Sequence, residues 1–278
     1  MKKILVATDF SDHSKSGLRF AIQLASQDAY HLTFFHVHHL QTPTAWDAVR
    51  MSEYEDEQKE VISGQMGDFV GKIYATMHME PKHIQCAVEL SILTESTILE
   101  YAEENKYDYI CISTRGTSLL KKLLGTITST LINRSKIPVI VVPHDYNIGK
   151  IKSVLYASDL DDYESEIIQV VSFAKPLEAS VKLLNFTSEP LEEEKWKIFE
   201  TNIEKITNYP VNIQITKKKL NDDDLITALE SAVKKNIPSV LIMFTKHNKK
   251  WFEHIFYAGN SAEYSFHTKV PLLVFSKP

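Results

Sequence analysis

The sequence contains little of what marks secreted, membrane-spanning or disulfide-stabilised proteins. Only two of its 278 residues are cysteines, and Cys86 and Cys111 lie in apolar, strand-like runs without CxxC spacing. We therefore expect small buried thiols rather than a disulfide or a metal pair. The stretch before Asp9 has too few apolar residues for a signal-peptide core or a membrane span. These features lead us to expect a cytoplasmic protein that does not bind membranes.

Common catalytic and nucleic-acid-binding patterns are also missing. The sequence has no GxSxG, HExxH, GxxxxGK[ST] or GxGxxG motif, so we name no catalytic residue and favour a non-catalytic protein over an enzyme or a very weak ATPase. The net charge of -5 argues against a broad nucleic-acid-binding surface. His36, His38 and His39 suggest a metal site, but no acid or cysteine set with ligand spacing accompanies them. We expect ordinary histidines at a strand end.

Short apolar runs alternate with longer helical patterns in the first half of the chain. The runs begin with KILVAT and LTFFHV, and the segment between them, Ser14 to Ser26, has a helical pattern. Near-continuous apolar runs separated by helices are typical of parallel strands covered on both faces. We predict an α/β fold in which five strands form one doubly wound domain over residues 1–144.

The second half of the chain repeats this organisation. KKILVATDFSDHS is echoed by IKSVLYASDLDDYES, which places Asp159 opposite Asp9, and SKIPVIVVP is echoed by TKVPLLVFS. The sequence thus predicts two tandem five-stranded, mostly parallel sheets rather than one continuous sheet. Residues 145–150 form a short polar linker, and residues 151–278 form the second domain.

The segment GTITST has the composition of a phosphate-binding turn. Glycine allows a close approach of the backbone, and a helix that starts there offers unpaired amides. A capped helix start explains Thr126 and Thr128 without any phosphate. Asp9, at a strand end, fits either a ligand contact or a structural carboxylate that accepts loop amides. Both interpretations are open for these residues.

The first half resembles the universal stress protein family. The resemblance is carried by ILVATDFSDHS, FFHVH, STILEYAEENKYDYICIS and GTITSTLINRSKIPVIVV. Gly116 and the pair Gly125 and Thr126 match the family's glycine signature, whereas Ser113 stands at its first glycine. Only eight residues separate Gly116 from Gly125, one fewer than in the signature. The resemblance implies a Rossmann-like fold of the adenine nucleotide alpha hydrolase type.

In ATP-binding members of the family, the matching residues hold the adenosine and the phosphates. The resemblance therefore implies that the first half binds ATP or another adenine nucleotide, with Mg²⁺. The binding residues that it implies are Thr8, Asp9, Val37, Ser113, Gly116, Gly125, Thr126, Ile127 and Thr128. Lys121 and Lys122 add positive charge to this loop by their position. In the second half, Phe244 and His247 replace the early glycines, so we expect no nucleotide there.

The leading hypothesis is a regulatory stress-response protein whose first half binds an adenine nucleotide. The second is a nucleotide-free interaction module of the same fold, and the third is a slow ATP hydrolase. Hydrolysis requires a water-positioning group and a metal site that the sequence does not identify. Because the family associates through its fifth strand, we expect PVIVV and PLLVF to meet as an intrachain pseudo-dimer. Further association into a homodimer is also open.

Overall fold

The structure is a computed structural model of the chain. It describes residues 1–40, 47–81, 83–114, 126–187, 193–217, 222–245 and 269–276. In these ranges, strands and helices alternate along the chain. None of the helices described there is long and apolar enough to cross a bilayer.

The first half follows the predicted alternation of strands and helices. Its strands are β1 (Lys2–Ala7), β2 (Tyr30–His38), β3 (Gln85–Leu90), β4 (Tyr109–Ser113) and β5 (Val139–Val142). Its helices are α1 (Lys15–Gln27), α2 (Ala48–Thr76), α3 (Thr94–Glu104) and α4 (Thr126–Arg134). Every residue of β5 is buried, as expected for a strand covered by helices on both faces.

The second half repeats the order of the first-half elements from its first to its fourth strand, as far as the described residues extend. Its strands are β6 (Ser153–Ala157), β7 (Ser180–Thr187), β8 (Val211–Lys217), β9 (Val240–Thr245) and β10 (Leu272–Ser276). Its helices are α5 (Tyr163–Ala174), α6 (Glu193–Thr207) and α7 (Asp222–Asn236). Five parallel strands in each half confirm the predicted α/β class and the tandem arrangement.

All ten strands belong to a single sheet in the order β3-β2-β1-β4-β5-β10-β9-β6-β7-β8. Neighbouring strands are parallel within each half, whereas β5 and β10 pair antiparallel, with Ile140 opposite Leu273. The expectation of two sheets that are not continuous therefore needs correction. An apolar edge strand exposes a row of unpaired amides and carbonyls, and the pairing of β5 with β10 satisfies both rows. Because the pairing is antiparallel, the carboxyl ends of the strands lie on opposite edges of the sheet in the two halves.

The apolar core extends through both halves on each face of the sheet. Along β1, Ile4 and Leu5 are fully buried but point to opposite faces. Ile4 packs in the layer of α1, α2, α5 and α6, and Leu5 packs in the layer of α3, α4 and α7. Cys86 and Cys111 are both free, and burial raises the pKa of each thiol.

Ile151, the residue that follows segment 145–150, is hydrogen-bonded to the first half. The amide of Gln27, at the end of α1, donates to the carbonyl oxygen of Ile151 at 2.9 Å and accepts from its backbone amide at 2.7 Å. Ile151 is fully buried. This two-bond contact fixes the entry into β6 against the first half.

The internal repeat extends to the backbone conformation of the turns after β1 and β6. Phe10 and Leu160 both have positive φ, at 60° and 68°. Asp9 accepts the backbone amide of Ser11 at 3.1 Å, and Asp159 accepts that of Asp161 at 3.0 Å. Such a side chain stabilises a turn in which a bulky residue adopts the disfavoured left-handed conformation.

Candidate functional site

A cavity of about 480 Å³ opens at the carboxyl ends of the first-half strands. The strand order reverses between β1 and β4, and ligands of open parallel sheets bind at such a switch point. The ends of β1, β2 and β4 contribute to its walls, together with the first turns of α3 and α4. The fold therefore provides an open crevice at the place where the sequence predicts a ligand.

Six of the nine residues predicted from the sequence line this cavity. They are Thr8, Asp9, Val37, Ser113, Ile127 and Thr128. Gly116 and Gly125 lie outside the described residues, as do Lys121 and Lys122. Thr126 is described only as the first residue of α4. The structure thus brings together predicted residues from three strand ends and one helix.

The turn after β1 holds one wall of the cavity through its own hydrogen bonds. The hydroxyls of Thr8 and Ser14 lie 2.9 Å apart, and Thr8 also accepts the backbone amide of Phe10 at 3.2 Å. Asp9 accepts a bond of 2.6 Å from the hydroxyl of Ser11. The carboxylate of Asp9 forms hydrogen bonds within the turn. It is also exposed and lines the cavity. The residue that precedes α1 at its N-cap position is Ser14.

Ser113, at the end of β4, is held against the first turn of α1. Its hydroxyl accepts the backbone amide of Gly17 at 2.7 Å and donates to the carbonyl oxygen of Ser14 at 2.9 Å. The hydroxyl of Ser16 lies 3.2 Å away. Ser113 stands where the family signature has glycine, and its side chain connects β4 to α1. It also satisfies one of the backbone amides that a helix start leaves unpaired.

The start of α4 supplies the opposite wall. Ile127 and Thr128 lie in its first turn and line the cavity, and Thr128 is only 8% exposed. The first amides of a helix have no intrahelical partner, and the helix dipole favours negative charge beside them. This wall is suited to an anionic group.

The end of β2 provides an apolar patch and several imidazoles. The sequence interpretation assigned Val37 to the site but not the histidines. Val37 is 9% exposed and faces the cavity together with Ile98 of α3. His36 contacts the carbonyl oxygen of Thr8 at 2.8 Å through Nδ1. Burial lowers the pKa of His36, an effect that this backbone contact partly offsets. His36 is therefore a neutral, structural side chain.

Thr94 and the other histidines complete this wall. The hydroxyl of Thr94 lies 2.9 Å from Nε2 of His39 and joins the end of β2 to the start of α3. His38 and His13 also line the cavity. The contribution of Thr94 could have been anticipated only from the strand order. Its helix, α3, reaches the cavity because it lies next to β2 in the fold, not because the two are close in sequence.

A comparison with known families identifies the family of the chain. The model of the universal stress protein family matches residues 1–143, which is just over half of the 278-residue chain. The chain belongs to the universal stress protein family. No curated protein matches it in sequence.

Solved structures resemble this universal stress protein over almost its entire length. A universal stress protein from Archaeoglobus fulgidus has 16% sequence identity and a TM-score of 0.66, with 99% of this chain and 96% of that chain covered. A functionally unknown protein from Pseudomonas aeruginosa has 12% identity and a TM-score of 0.54, with 99% and 92% covered. At such low identity these similarities establish the fold, including its two-half organisation.

The second half of this universal stress protein has aromatic rings at the corresponding strand end. Phe244 occupies the register position of Ser113, since β9 pairs with β6 as β4 pairs with β1. Its ring stacks on Phe275 at 5.0 Å and meets Tyr156 edge-on at 5.7 Å. The hydroxyl of Tyr156 hydrogen-bonds with the buried carboxylate of Glu166. Phe244 thus forms part of an aromatic cluster where the first half has a small hydroxyl.

Metal ligation has no visible basis in the ranges that the structure describes. Within them, no group of three or more His, Cys, Asp or Glu side chains is arranged to hold an ion. The cavity instead combines an apolar patch, several hydroxyls and a helix start. This combination suits a ligand with an apolar ring at one end and a polar or anionic group at the other.

Proposed function

We propose that this universal stress protein is a regulatory, cytoplasmic stress-response protein whose first half binds ATP or another adenine nucleotide. The observation that carries the proposal is that Thr8, Asp9, Val37, Ser113, Ile127 and Thr128 line one cavity at the switch point of the sheet. These residues come from distant parts of the sequence, and only the fold brings them together. Residues chosen at random from the sequence would not be expected to line one cavity.

The chemistry of the two walls suggests how the nucleotide lies in the cavity. Val37 and Ile98 offer apolar contact to a flat base, whereas the start of α4 and the hydroxyl of Thr128 suit the ribose and phosphates. Asp9 also lines the cavity, and its carboxylate accepts hydrogen bonds. Gly116, Gly125 and Thr126, and Mg²⁺ on the phosphates, belong to this proposal through the family resemblance alone.

The proposed division of the chain assigns the nucleotide to residues 1–144 and a structural role to residues 151–278, with 145–150 as the linker. The aromatic cluster around Phe244 supports this asymmetry. We propose that the two units act as an intrachain pseudo-dimer, which the pairing of β5 with β10 supports. Binding would regulate the protein by favouring one conformation over another.

A nucleotide-free interaction module of the same fold is the second candidate function. The observation that favours it is the position of Ser113, whose side chain stands at the first glycine of the family signature and is bonded to α1. In this case the cavity would be a by-product of the fold, and regulation would depend on a protein partner.

Calorimetry on the purified full chain distinguishes the two candidates. We expect ATP or AMP to bind with one site per chain, and Val37→Phe to abolish binding by filling the cavity. Phenylalanine is also the residue at the equivalent second-half position, Phe186, because Phe35 and Leu184 accept the matching amides of Thr8 and Ser158. Val61→Phe is the control, since Val61 is 49% exposed on α2.

Circular dichroism and thermal melting accompany the binding measurement, because a larger side chain in a packed site costs about 1 to 3 kcal/mol. Absence of nucleotide binding by the wild-type chain would favour the interaction module. Equal affinity in wild type and a folded Val37→Phe variant would place the nucleotide elsewhere.

A further inference from the structure

Two side chains from β2 and two from α3 form a matched arrangement at the end of the cavity that we assign to the base. Val37 is followed two positions later by His39, and alternate residues of an extended segment lie on the same side. Ile98 of α3 is preceded one turn earlier by Thr94, and residues four apart share one helix face. All four line the cavity. An apolar pair, Val37 and Ile98, therefore lies beside a polar pair, Thr94 and His39.

The polar pair is in direct contact. Oγ1 of Thr94 lies 2.9 Å from Nε2 of His39. The loop that leads into α3 is itself held in place, because Ser91 donates its backbone amide to the carbonyl oxygen of His38 at 3.0 Å, and its hydroxyl accepts the amide of Leu93 at 3.0 Å. The position of the Thr94 hydroxyl is therefore fixed by the protein itself.

The repeat shows which polar side chains of this wall the fold requires. Asn185 stands at the second-half position of His36 and makes the equivalent bond, donating to the carbonyl oxygen of Ser158 at 2.9 Å. The strand end is thus held by a side-chain bond to the backbone in both halves. His36 is therefore explained by the fold.

The contact between Thr94 and His39 has no such counterpart. The register of β4 on β1 matches that of β9 on β6, which gives position 225 as the equivalent of Thr94. The matching amide bonds at the ends of β2 and β7 give position 188 as the equivalent of His39. These positions hold leucine and serine. The fold of a half therefore does not depend on a contact between threonine and histidine.

The orientation of a bound adenine nucleotide follows from the two ends of the cavity. The ribose is attached to N9 of the purine, and the 6-amino group lies on the opposite edge of the ring system. We place the phosphates at the start of α4 and the base against Val37 and Ile98. The 6-amino edge then points away from α4, towards the end of the cavity that Thr94 and His39 line.

The hydroxyl of Thr94 can accept the 6-amino group whichever nitrogen of His39 carries the proton. If the hydroxyl donates to Nε2, both lone pairs of its oxygen stay available. If Nε2 donates to the hydroxyl, one lone pair stays available. In both cases the bond to His39 restrains the hydroxyl and leaves an acceptor for the ligand.

We propose that the hydroxyl of Thr94 accepts a hydrogen bond from the 6-amino group of the bound adenine and that His39 positions this hydroxyl. This inference rests on the proposed function. It assigns base recognition to side chains that the family signature does not include, and it makes the cavity selective for 6-aminopurine nucleotides.

The test is isothermal titration calorimetry of the full chain with AMP and with purine riboside 5′-monophosphate, which lacks only the 6-amino group. We expect the wild type to bind AMP about fivefold more tightly, the usual effect of one hydrogen bond. Thr94→Val removes the hydroxyl and nearly keeps the shape of the side chain. In this variant AMP should bind about fivefold more weakly and the other ligand unchanged, so that the preference disappears.

Thr97→Val is the matched control. It is the same substitution on the same helix, at a residue whose hydroxyl donates to the carbonyl oxygen of Leu93 at 2.9 Å and that does not line the cavity. It should keep the fivefold preference. If Thr94→Val melts early, Thr94→Ala removes the same hydroxyl with a smaller side chain. Both ligands are measured on the same variant, so a partial loss of folded protein cancels in the ratio of affinities.

Two substitutions of His39 test its positioning role. His39→Leu removes the partner of the Thr94 hydroxyl, whereas His39→Gln keeps an amide that can bond to it. We expect the preference for AMP to fall to about twofold in His39→Leu and to stay near fivefold in His39→Gln. A purely structural role would weaken both ligands equally and leave the preference unchanged.

Equal affinity of the wild type for the two ligands, or an undiminished preference in Thr94→Val, would overturn this inference while leaving the proposed function intact. An undiminished preference in His39→Leu would overturn the role given to His39. Failure of the wild-type chain to bind AMP would overturn the proposed function, and the inference with it.

Discussion

The hydroxyl of Ser113 accepts the backbone amide of Gly17 at 2.7 Å and thereby joins two segments that are 96 residues apart. A Cβ added to Gly17 would lie 2.6 Å from that hydroxyl oxygen and 3.3 Å from the backbone nitrogen of Ser113. The end of β4 and the first turn of α1 are therefore matched to each other. This contact also fixes one wall of the proposed nucleotide cavity.

Gly17→Ala should destabilise the protein despite the higher helix propensity of alanine. The added methyl group must displace Ser113, and we expect a loss of about 1 to 3 kcal/mol in the free energy of unfolding, measured by urea denaturation. Adding Ser113→Gly removes the obstructing hydroxyl and should restore at least half of the loss. Additive losses in the double variant would show that the two residues are not coupled.

Asp9→Asn and Asp159→Asn form a matched pair that separates the two roles considered for Asp9. An asparagine oxygen still accepts the amide two residues on, so each variant should lose less than about 1 kcal/mol of stability. If Asp9 also binds the nucleotide, Asp9→Asn alone should weaken adenosine binding, by about tenfold or more. Equal binding by both variants in calorimetry would leave Asp9 with only its turn-forming role.

Gln27→Ala should weaken the attachment of the linker to the first half. It removes two hydrogen bonds to the backbone of the fully buried Ile151, and we expect the unfolding free energy to fall by about 1 to 3 kcal/mol. Gln27→Glu keeps the acceptor but places a carboxylate oxygen against the carbonyl oxygen of Ile151, so its loss should be at least as large as that of Gln27→Ala. An unchanged urea midpoint in Gln27→Ala would mean that Ile151 is held by burial alone.

His36 should make the fold sensitive to acid. Because burial lowers its pKa in the folded protein, the unfolded chain binds the proton more tightly, and stability decreases as the pH falls below the ordinary histidine value near 6.5. His36→Asn copies the residue at position 185 and keeps a donor for the strand-end carbonyl. Urea midpoints at pH 7.5 and pH 5 should therefore differ less in His36→Asn than in wild type. An equal pH dependence would show that other groups control the acid response.

Local patterns were sufficient to predict the elements of the fold. The apolar runs predicted the first-half strands, and the predicted helix from Ser14 to Ser26 differs by one residue at each end from α1, Lys15–Gln27. The correspondence between Asp9 and Asp159 identified the repeat. In the structure, the repeat includes the positive φ of Phe10 and Leu160. Such features depend on neighbours in sequence, so one sequence is enough to reveal them.

Contacts between segments that are distant in sequence were harder to predict from the sequence. The bond between Ser113 and Gly17 depends on a serine at a position where the family signature has glycine, and its geometry requires the packed helix and strand. Thr94 reaches the cavity only because β3 lies outside β2 in the sheet. The continuous sheet also could not be decided from the two apolar edge patterns, since each is compatible with burial against any partner strand.

The antiparallel contact of β5 with β10 gives this chain an assembly property that a single half would not have. A lone half would need a second molecule to cover its apolar edge, and the covered fraction would change with protein concentration. Here the short segment 145–150 holds the two edges together at an effective concentration on the order of millimolar, about a thousandfold above a micromolar protein. The joined sheet is therefore expected to survive dilution, because both edges belong to one chain.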